Sequence, residues 1–272
     1  MIRLIATDLD GTLLDREGHV PAANRRALQR ALDRGVLLAL VTARMARSTV
    51  WVADMLGLPC ARISHNGARM WDWSGAELRH YRLPLELAQA VARFADEHGI
   101  GLITTVDEVN YYGGAARARR HDDDDVAVRT NVEALVGLPT RMIAVGTEGI
   151  DLLCAAFADA PDSLVVHRYY SRVGALESAV LTHPKATKVD ALAELCAAQG
   201  IEAGEVIALG DAEADAEMLD WAGVGVAMAN AMDEARAVAT WIAPSHDAAG
   251  LAVAIERFVL RGPGVGSQEP GN

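Results

Sequence analysis

Two aspartates two residues apart, Asp8 and Asp10, head the segment Asp8-Leu9-Asp10-Gly11-Thr12-Leu13-Leu14, directly after a short apolar run. Carboxylates at that spacing can converge on one ligand where a chain leaves a sheet. Gly11 permits the tight backbone that turns N–H groups around such a site. The pair repels itself unless a cation lies between its members or one of them is protonated. A second acidic segment, Gly210-Asp211-Ala212-Glu213-Ala214-Asp215, also follows an apolar run. Hard oxygen ligands drawn from separate strand ends suit Mg²⁺, with waters and a substrate phosphate completing its octahedron. Asp215 can equally be an acid that starts a helix and complements its dipole.

Two other residue types could complete the chemistry. Thr42 closes the apolar run 36–41, so its hydroxyl emerges beside Asp8 if the two runs are neighbouring strands. There it can donate to a phosphate oxygen, or act as an ordinary helix N-cap. The chain holds only two lysines, Lys185 and Lys188, against 23 arginines. So strong a bias that still retains lysine points to a place where a compact ammonium is wanted rather than a guanidinium fork.

The 272 residues are 51% hydrophobic and 23% charged, a packed composition that excludes disorder as a description of the whole chain. A net charge of −12 argues against a nonspecific nucleic-acid binder or an anionic-membrane binder, because the field of the whole protein repels both. An anionic small substrate therefore needs local cations. Cys60, Cys154 and Cys196 are widely spaced and form no CxxC pair, which suggests neither a disulfide framework nor a thiolate zinc site. No secretory leader pattern opens the chain and no apolar run approaches about 18 residues. The expectation is a cytoplasmic protein, a monomer or weak homodimer, with neither nucleic acid nor membrane as partner.

These residues must be positioned by regular elements. Apolar runs at 3–7, 36–41 and 61–64 alternate with helical spacing at 22–33 and 46–56, a doubly wound α/β pattern with a parallel sheet and its ligands at the carboxyl ends of the strands. After about residue 82 the rhythm changes: a helix at 85–98, strands at 102–106, 109–112, 141–145, 164–170 and 175–181, and a helix near 149–158. Near Lys188 the first rhythm returns, with a helix to 199, strands at 206–209, 224–228 and 241–243, and helices at 214–222 and 231–238. The reading is a core of 1–82 and 184–261, an α+β insert at 83–183 between two proline-marked hinges, and a disordered tail at 262–272.

The ordered set of DLDGTLL at residues 8–14, Thr42, Ile63-Ser64-His65-Asn66-Gly67-Ala68, Lys188 with Val-Asp-Ala-Leu after it, Gly210-Asp211 with Asp215, and Gly225 through Asn230 resembles the Cof-type phosphatase branch of the haloacid dehalogenase superfamily. The resemblance runs over residues 1–82 and 184–260 and implies a Rossmann-like core with an inserted α+β cap that sets substrate choice. It further implies an Mg²⁺-dependent phosphatase acting on a small phosphorylated metabolite. Asp8 would be phosphorylated and Asp10 would serve as acid and base. Thr42, Ala43, Arg44, Asn230 and the backbone at Leu9 and Asp10 would hold the phosphate, with Lys188 offsetting charge. Asp8, the Asp10 carbonyl, Asp211 and Asp215 would form the metal site.

The chain departs from that family by having Ala43 where the motif has Gly and Ala212 and Ala214 where it has Gly and Asn. A sugar phosphomutase and a phosphate-ligand binding protein without turnover are the alternative readings. In the insert, His121 to Asp125 reads as a solvated charge run more readily than as a metal cluster. Tyr111, Tyr112, Tyr169, Tyr170 and Arg172 either line a pocket or pack the insert against itself.

Overall fold

A computed structural model describes residues 1–119, 124–146, 149–158, 164–170 and 176–261. In chain order the elements begin β1 (Leu4–Thr7), α1 (Ala22–Leu32), β2 (Leu37–Val41), α2 (Ala46–Leu56), β3 (Ala61–Ser64), β4 (Arg69–Trp71) and β5 (Glu77–His80). Next come α3 (Leu85–Glu97), β6 (Gly101–Val106), β7 (Val109–Gly113), β8 (Val126–Ala127), β9 (Arg141–Val145), α4 (Ile150–Ala156), β10 (Val165–Tyr170) and β11 (Leu176–Thr182). The chain closes with α5 (Lys188–Ala198), β12 (Val206–Gly210), α6 (Ala216–Trp221), β13 (Val224–Met228), α7 (Asp233–Val238), β14 (Trp241–Ala243) and α8 (Gly250–Ile255). It divides into two units, one of Met1–Leu78 with everything from Lys188 on, the other Arg79–Thr187.

The first unit is built on a sheet of order β14-β13-β12-β1-β2-β3-β4-β5. From β14 to β3 every pairing is parallel. Successive side chains of a strand face opposite sides of a sheet, and the apolar strands use both. Ile5, Leu38, Leu40, Ile207 and Leu209 pack in one buried cluster with Leu28 of α1, Val52 of α2 and Leu251 of α8. Leu4, Ala6, Ala39, Val41 and Ala208 pack in another with Leu192 and Leu195 of α5 and Met218 of α6. Continuous apolar runs such as Leu4–Thr7 are what a strand covered on both faces requires. Each fully buried leucine contributes about 1.5–3 kcal/mol relative to exposure.

Two features were not legible in the hydrophobic rhythm. The sheet is not wholly parallel, because β4 turns straight back and pairs antiparallel with β3. The short His65–Gly67 turn leaves no length for a crossover helix. Secondly, α8 and the turn Glu256–Leu260 bury Leu251, Ala254, Ile255 and Leu260 on the α1 side of the sheet. The helix expected to start at residue 214 begins at Ala216, after a 3₁₀ turn over Glu213–Asp215.

The second unit has a sheet of order β10-β11-β9-β6-β7-β8, antiparallel except for the β7–β8 pair. Val91, Ala92 and Ala95 of α3 and Leu153 of α4 pack with Leu102, Met142, Ala144 and Leu181 of the sheet. This is the α+β arrangement read from the excess of strands over helices. Tyr112 is buried and Tyr111 half-buried. Residues 121–123, Arg172, the tail 262–272 and the side chains of Tyr169 and Tyr170 lie outside what is described. Among the described residues no helix is long and apolar enough to cross a membrane.

Candidate active site

Strands β12, β1 and β2 lie side by side and point the same way, with Thr7 opposite both Leu209 and Leu40. Asp8, Thr42 and Asp211 each follow the last residues of these strands, so the sheet gathers them at one edge. The backbone N–H of Asp8 donates to Leu209 O at 2.9 Å, extending the ladder by one residue past β1.

Lys188, the first residue of α5, is buried and its ammonium donates to Asp8 Oδ1 at 2.7 Å and to Asp215 Oδ1 at 2.6 Å. The other oxygen of Asp215, Oδ2, accepts the N–H groups of Asp211 at 3.0 Å and Ala212 at 2.9 Å. Both Asp215 oxygens are therefore engaged with the protein. The residue holds the lysine and the loop after β12 in one register, and it is also the acid at the start of the helical turn that leads into α6.

Asp211 is tied to the loop after β1. Thr12 Oγ1 donates to Asp211 Oδ1 at 3.0 Å, and Asn230 Nδ2 donates to Gly11 O at 2.9 Å. Asn230 Oδ1 in turn accepts the N–H of His246 at 3.0 Å. Gly11 has φ +74°, and a Cβ built there would lie 2.2 Å from Asp211 Oδ2, so both the backbone conformation and the close approach demand glycine.

Thr42 is buried and its Oγ1 accepts the N–H of Arg44 at 3.1 Å. The guanidinium of Arg44 donates to both oxygens of Asp10, at 2.7 Å from Nε and 2.6 Å from Nη2. In this arrangement Arg44 grips the Asp10 carboxylate through two nitrogens. The loop bearing Thr42 and Arg44 is fixed from β3: His65 N donates to Arg44 O at 2.9 Å and Asn66 N to Thr42 O at 3.1 Å. Both donors adopt positive φ, 51° and 54°, in buried positions. Two consecutive non-glycine residues in that region are kept only where the surroundings over-determine them.

The electrostatics follow from three acids around one ammonium. Burial pushes Asp8 well above the usual carboxylate range, and the charges of Asp215 and Asp211 add to it against the pull of Lys188. Burial and the charge of Asp215 push Asp211 up to about 6. Burial weakens the Lys188 ammonium, but Asp215 and Asp8 outweigh it and raise its pKa overall. Carboxylate oxygens of Asp8, Asp211 and Asp215 lie within 4.8 Å of one another. The cluster is short of positive charge and offers only hard oxygen donors, so it fits a divalent cation. Asp8 and Asp211 keep oxygens that Lys188 does not claim.

The family model of haloacid dehalogenase-like hydrolases matches residues 5–255. The chain belongs to that family. It is 26% identical to the 5-amino-6-(5-phospho-D-ribitylamino)uracil phosphatase YwtE of Bacillus subtilis, over 95% of this chain and 98% of that one. It is 24% identical to a phosphoglycolate phosphatase of Methanoculleus marisnigri, over 95% and 97% respectively. A solved haloacid dehalogenase-like hydrolase from B. subtilis superposes with a TM-score of 0.82 at 23% identity, covering 94% of this chain and 100% of that one.

In this haloacid dehalogenase-like hydrolase the structure brings Asp8, Lys188, Asp211 and Asp215 into one hydrogen-bonded cluster. It leaves Asp10 at the rim beside Arg44, and Asn230 reaches the cluster through Gly11 O and, at 3.5 Å, through Asp211 Oδ2. Thr12 was missed in the sequence reading. Its signal was available as a hydroxyl four residues after Asp8, on the far side of the glycine turn. The clamp that His65 and Asn66 place on the Thr42 loop was not readable: Asn66-Gly67 marks a turn, but nothing in a sequence says which backbone oxygens its N–H groups meet.

Proposed function

We propose that this hydrolase is an Mg²⁺-dependent phosphatase of small phosphomonoesters, a sugar phosphate or a phosphorylated cofactor or its precursor, working through a phosphorylated Asp8. The observation that carries the reading is the buried Lys188 ammonium held between Asp8 and Asp215 at the edge where β1, β2 and β12 end. Such a lysine offsets the charge of a carboxylate that must approach an anionic phosphoryl group.

In the first step an Asp8 oxygen bonds to phosphorus as the bond from phosphorus to the ester oxygen breaks, and a protonated Asp10 gives its proton to the departing alkoxide. In the second, Asp10 takes a proton from water, the water oxygen bonds to phosphorus, and the bond to Asp8 breaks to release phosphate. Asp10 must leave at least one of its Arg44 contacts to do either. Thr42, Lys188 and the N–H groups after Asp8 hold the phosphoryl oxygens. A divalent cation held by Asp8, the Asp10 carbonyl and Asp211 would supply positive charge to those oxygens.

The unit Arg79–Thr187 serves as the specificity cap in this reading. Two relatives named for unlike substrates, a ribitylamino-uracil phosphate and phosphoglycolate, support a family in which the core is shared and the substrate varies. The test is phosphate release across a panel of phosphorylated metabolites, with and without Mg²⁺. Metal-dependent turnover of at least one phosphomonoester is expected. Binding without release, or transfer of the phosphoryl group to a second hydroxyl, would overturn it.

A further inference from the structure

At the opposite end of the same sheet a cleft of about 630 Å³ opens beside the amino ends of β1, β2 and β13. Strands rise about 3.3 Å per residue, so the four-residue β1 alone separates it from the Asp8 edge by roughly 13 Å. Val36, Phe258 and Leu260 give it an apolar floor, and Arg34, Arg257 and Arg261 stand in its wall. Among the described residues none of these three guanidiniums has a carboxylate partner, whereas Arg3 at the same cleft is neutralised by Glu205.

Two of the three are held in place without being neutralised. Arg34 Nη1 donates to the main-chain oxygen of Leu260. The Arg257 guanidinium lies 5.2 Å from the Trp241 ring centre and 5.3 Å from that of Phe258, over aromatic faces that orient a cation and leave its N–H edges free to bond. All three are exposed, so water screens their mutual repulsion. In a chain of net charge −12 they run against the average field.

We propose that this cleft binds a small amphipathic anion, an aryl or alkyl body carrying one carboxylate or phosphate-like group. The guanidinium forks match the planar or tetrahedral oxyanion, and the floor covers the body. A bare anion would leave the floor wet, and a neutral apolar molecule would leave the arginines unpaired.

The test is a fluorescence titration of 8-anilinonaphthalene-1-sulfonate into the folded full-length chain, with octanoate, phenylphosphonate and inorganic phosphate as competitors. One saturable site is expected. Arg34→Gln and Arg257→Gln should each weaken it by about tenfold, the usual worth of one charge-assisted hydrogen bond. Arg34→Lys, which keeps the charge but loses the fork, should fall between the parent and Arg34→Gln. Far-UV dichroism and melting temperature confirm that each variant is folded. Octanoate and phenylphosphonate should both displace the probe.

Several results would overturn the proposal. These are unchanged affinity in both glutamine variants, loss in the lysine variant equal to that in Arg34→Gln, or displacement by inorganic phosphate as effective as by octanoate. Tighter probe binding on deletion of residues 262–272 would give the cleft to the chain itself and overturn it too. Because the cleft lies away from the Asp8 edge, Asp8→Asn should leave the titration unchanged. Failure of the phosphatase reading would not alter it.

Discussion

Lys188 Nζ donates to Asp215 Oδ1 at 2.6 Å, and the carboxylate that receives it is wholly buried. The same ammonium lies 2.7 Å from Asp8 Oδ1, so one lysine ties α5 to the loops after both β1 and β12. Replacing Lys188 by Met leaves two buried carboxylates without their counter-charge. Removal of one partner from a buried ion pair costs about 3–5 kcal/mol, and the loss should appear as a lowered denaturant midpoint. Asp215→Asn should cost less, because its amide keeps the volume and Lys188 keeps Asp8. The two changes should be non-additive in a double-mutant cycle, as neighbours sharing one contact are. Simple additivity would separate Asp215 from the lysine.

Asp211 gives the site a pH dependence. Its pKa in the folded chain is pushed up to about 6 from 3.8, so the folded state holds this proton more tightly than the unfolded state does. Its contribution to stability is therefore full at acid pH and is lost as pH rises from about 4 through 6. A divalent cation needs the carboxylate ionised and displaces the proton. Apparent metal affinity, followed by calorimetry, should rise with pH through about 6 as Asp211 ionises, with proton release on binding. A pH-independent affinity between 5 and 7 would remove Asp211 from the metal site.

The outline of the core was legible because buried parallel strands write themselves as apolar runs. The bounds of α2, β3, β9, β13 and β14 fall where spacing and punctuation place them, with Gly57 at φ +64° closing α2 through an N–H to Ala53 O. β4, β5 and the α8 region were not read; β4 and β5 mix Arg69, Glu77, Arg79 and His80 with their apolar residues, so no apolar run marks them. At the site, Asp8 and Asp211 could be placed at strand ends from sequence alone. That Asp215 serves Lys188, and that Arg44 grips Asp10, depends on side chains 27 and 34 residues apart meeting in space.

Gly11 is a point where backbone and site cannot be separated. In Gly11→Ala the new Cβ meets the Asp211 carboxylate at 2.2 Å and the residue must hold φ +74°. We expect Asp211 to be displaced, with metal affinity falling by about 10–100-fold, the usual cost of disturbing the supports of a ligand. Isothermal titration with Mg²⁺ or Mn²⁺ measures it, and parent-like affinity would show that Asp211 does not need this approach.

Asp10 can be tested through the leaving group. Asp10→Asn removes proton donation, which matters for an alkoxide and hardly at all for p-nitrophenolate. The fall in kcat/KM should be larger for a sugar phosphate than for p-nitrophenyl phosphate, by about 10²–10⁴ where acid catalysis is fully expressed. Equal losses on both would remove Asp10 from the acid role.

The central claim is that Asp8 itself takes the phosphoryl group. With p-nitrophenyl phosphate and Mg²⁺ the first step needs no proton donor, so the phosphorylated enzyme should accumulate. Quenching into borohydride reduces an acyl phosphate to the alcohol, converting the aspartate concerned to homoserine. Mass spectrometry of the peptide spanning residue 8 should show homoserine at position 8 only when substrate was present, and none in Asp8→Asn. Substrate turnover with no homoserine at that position, or with the reduced residue elsewhere, would contradict the account.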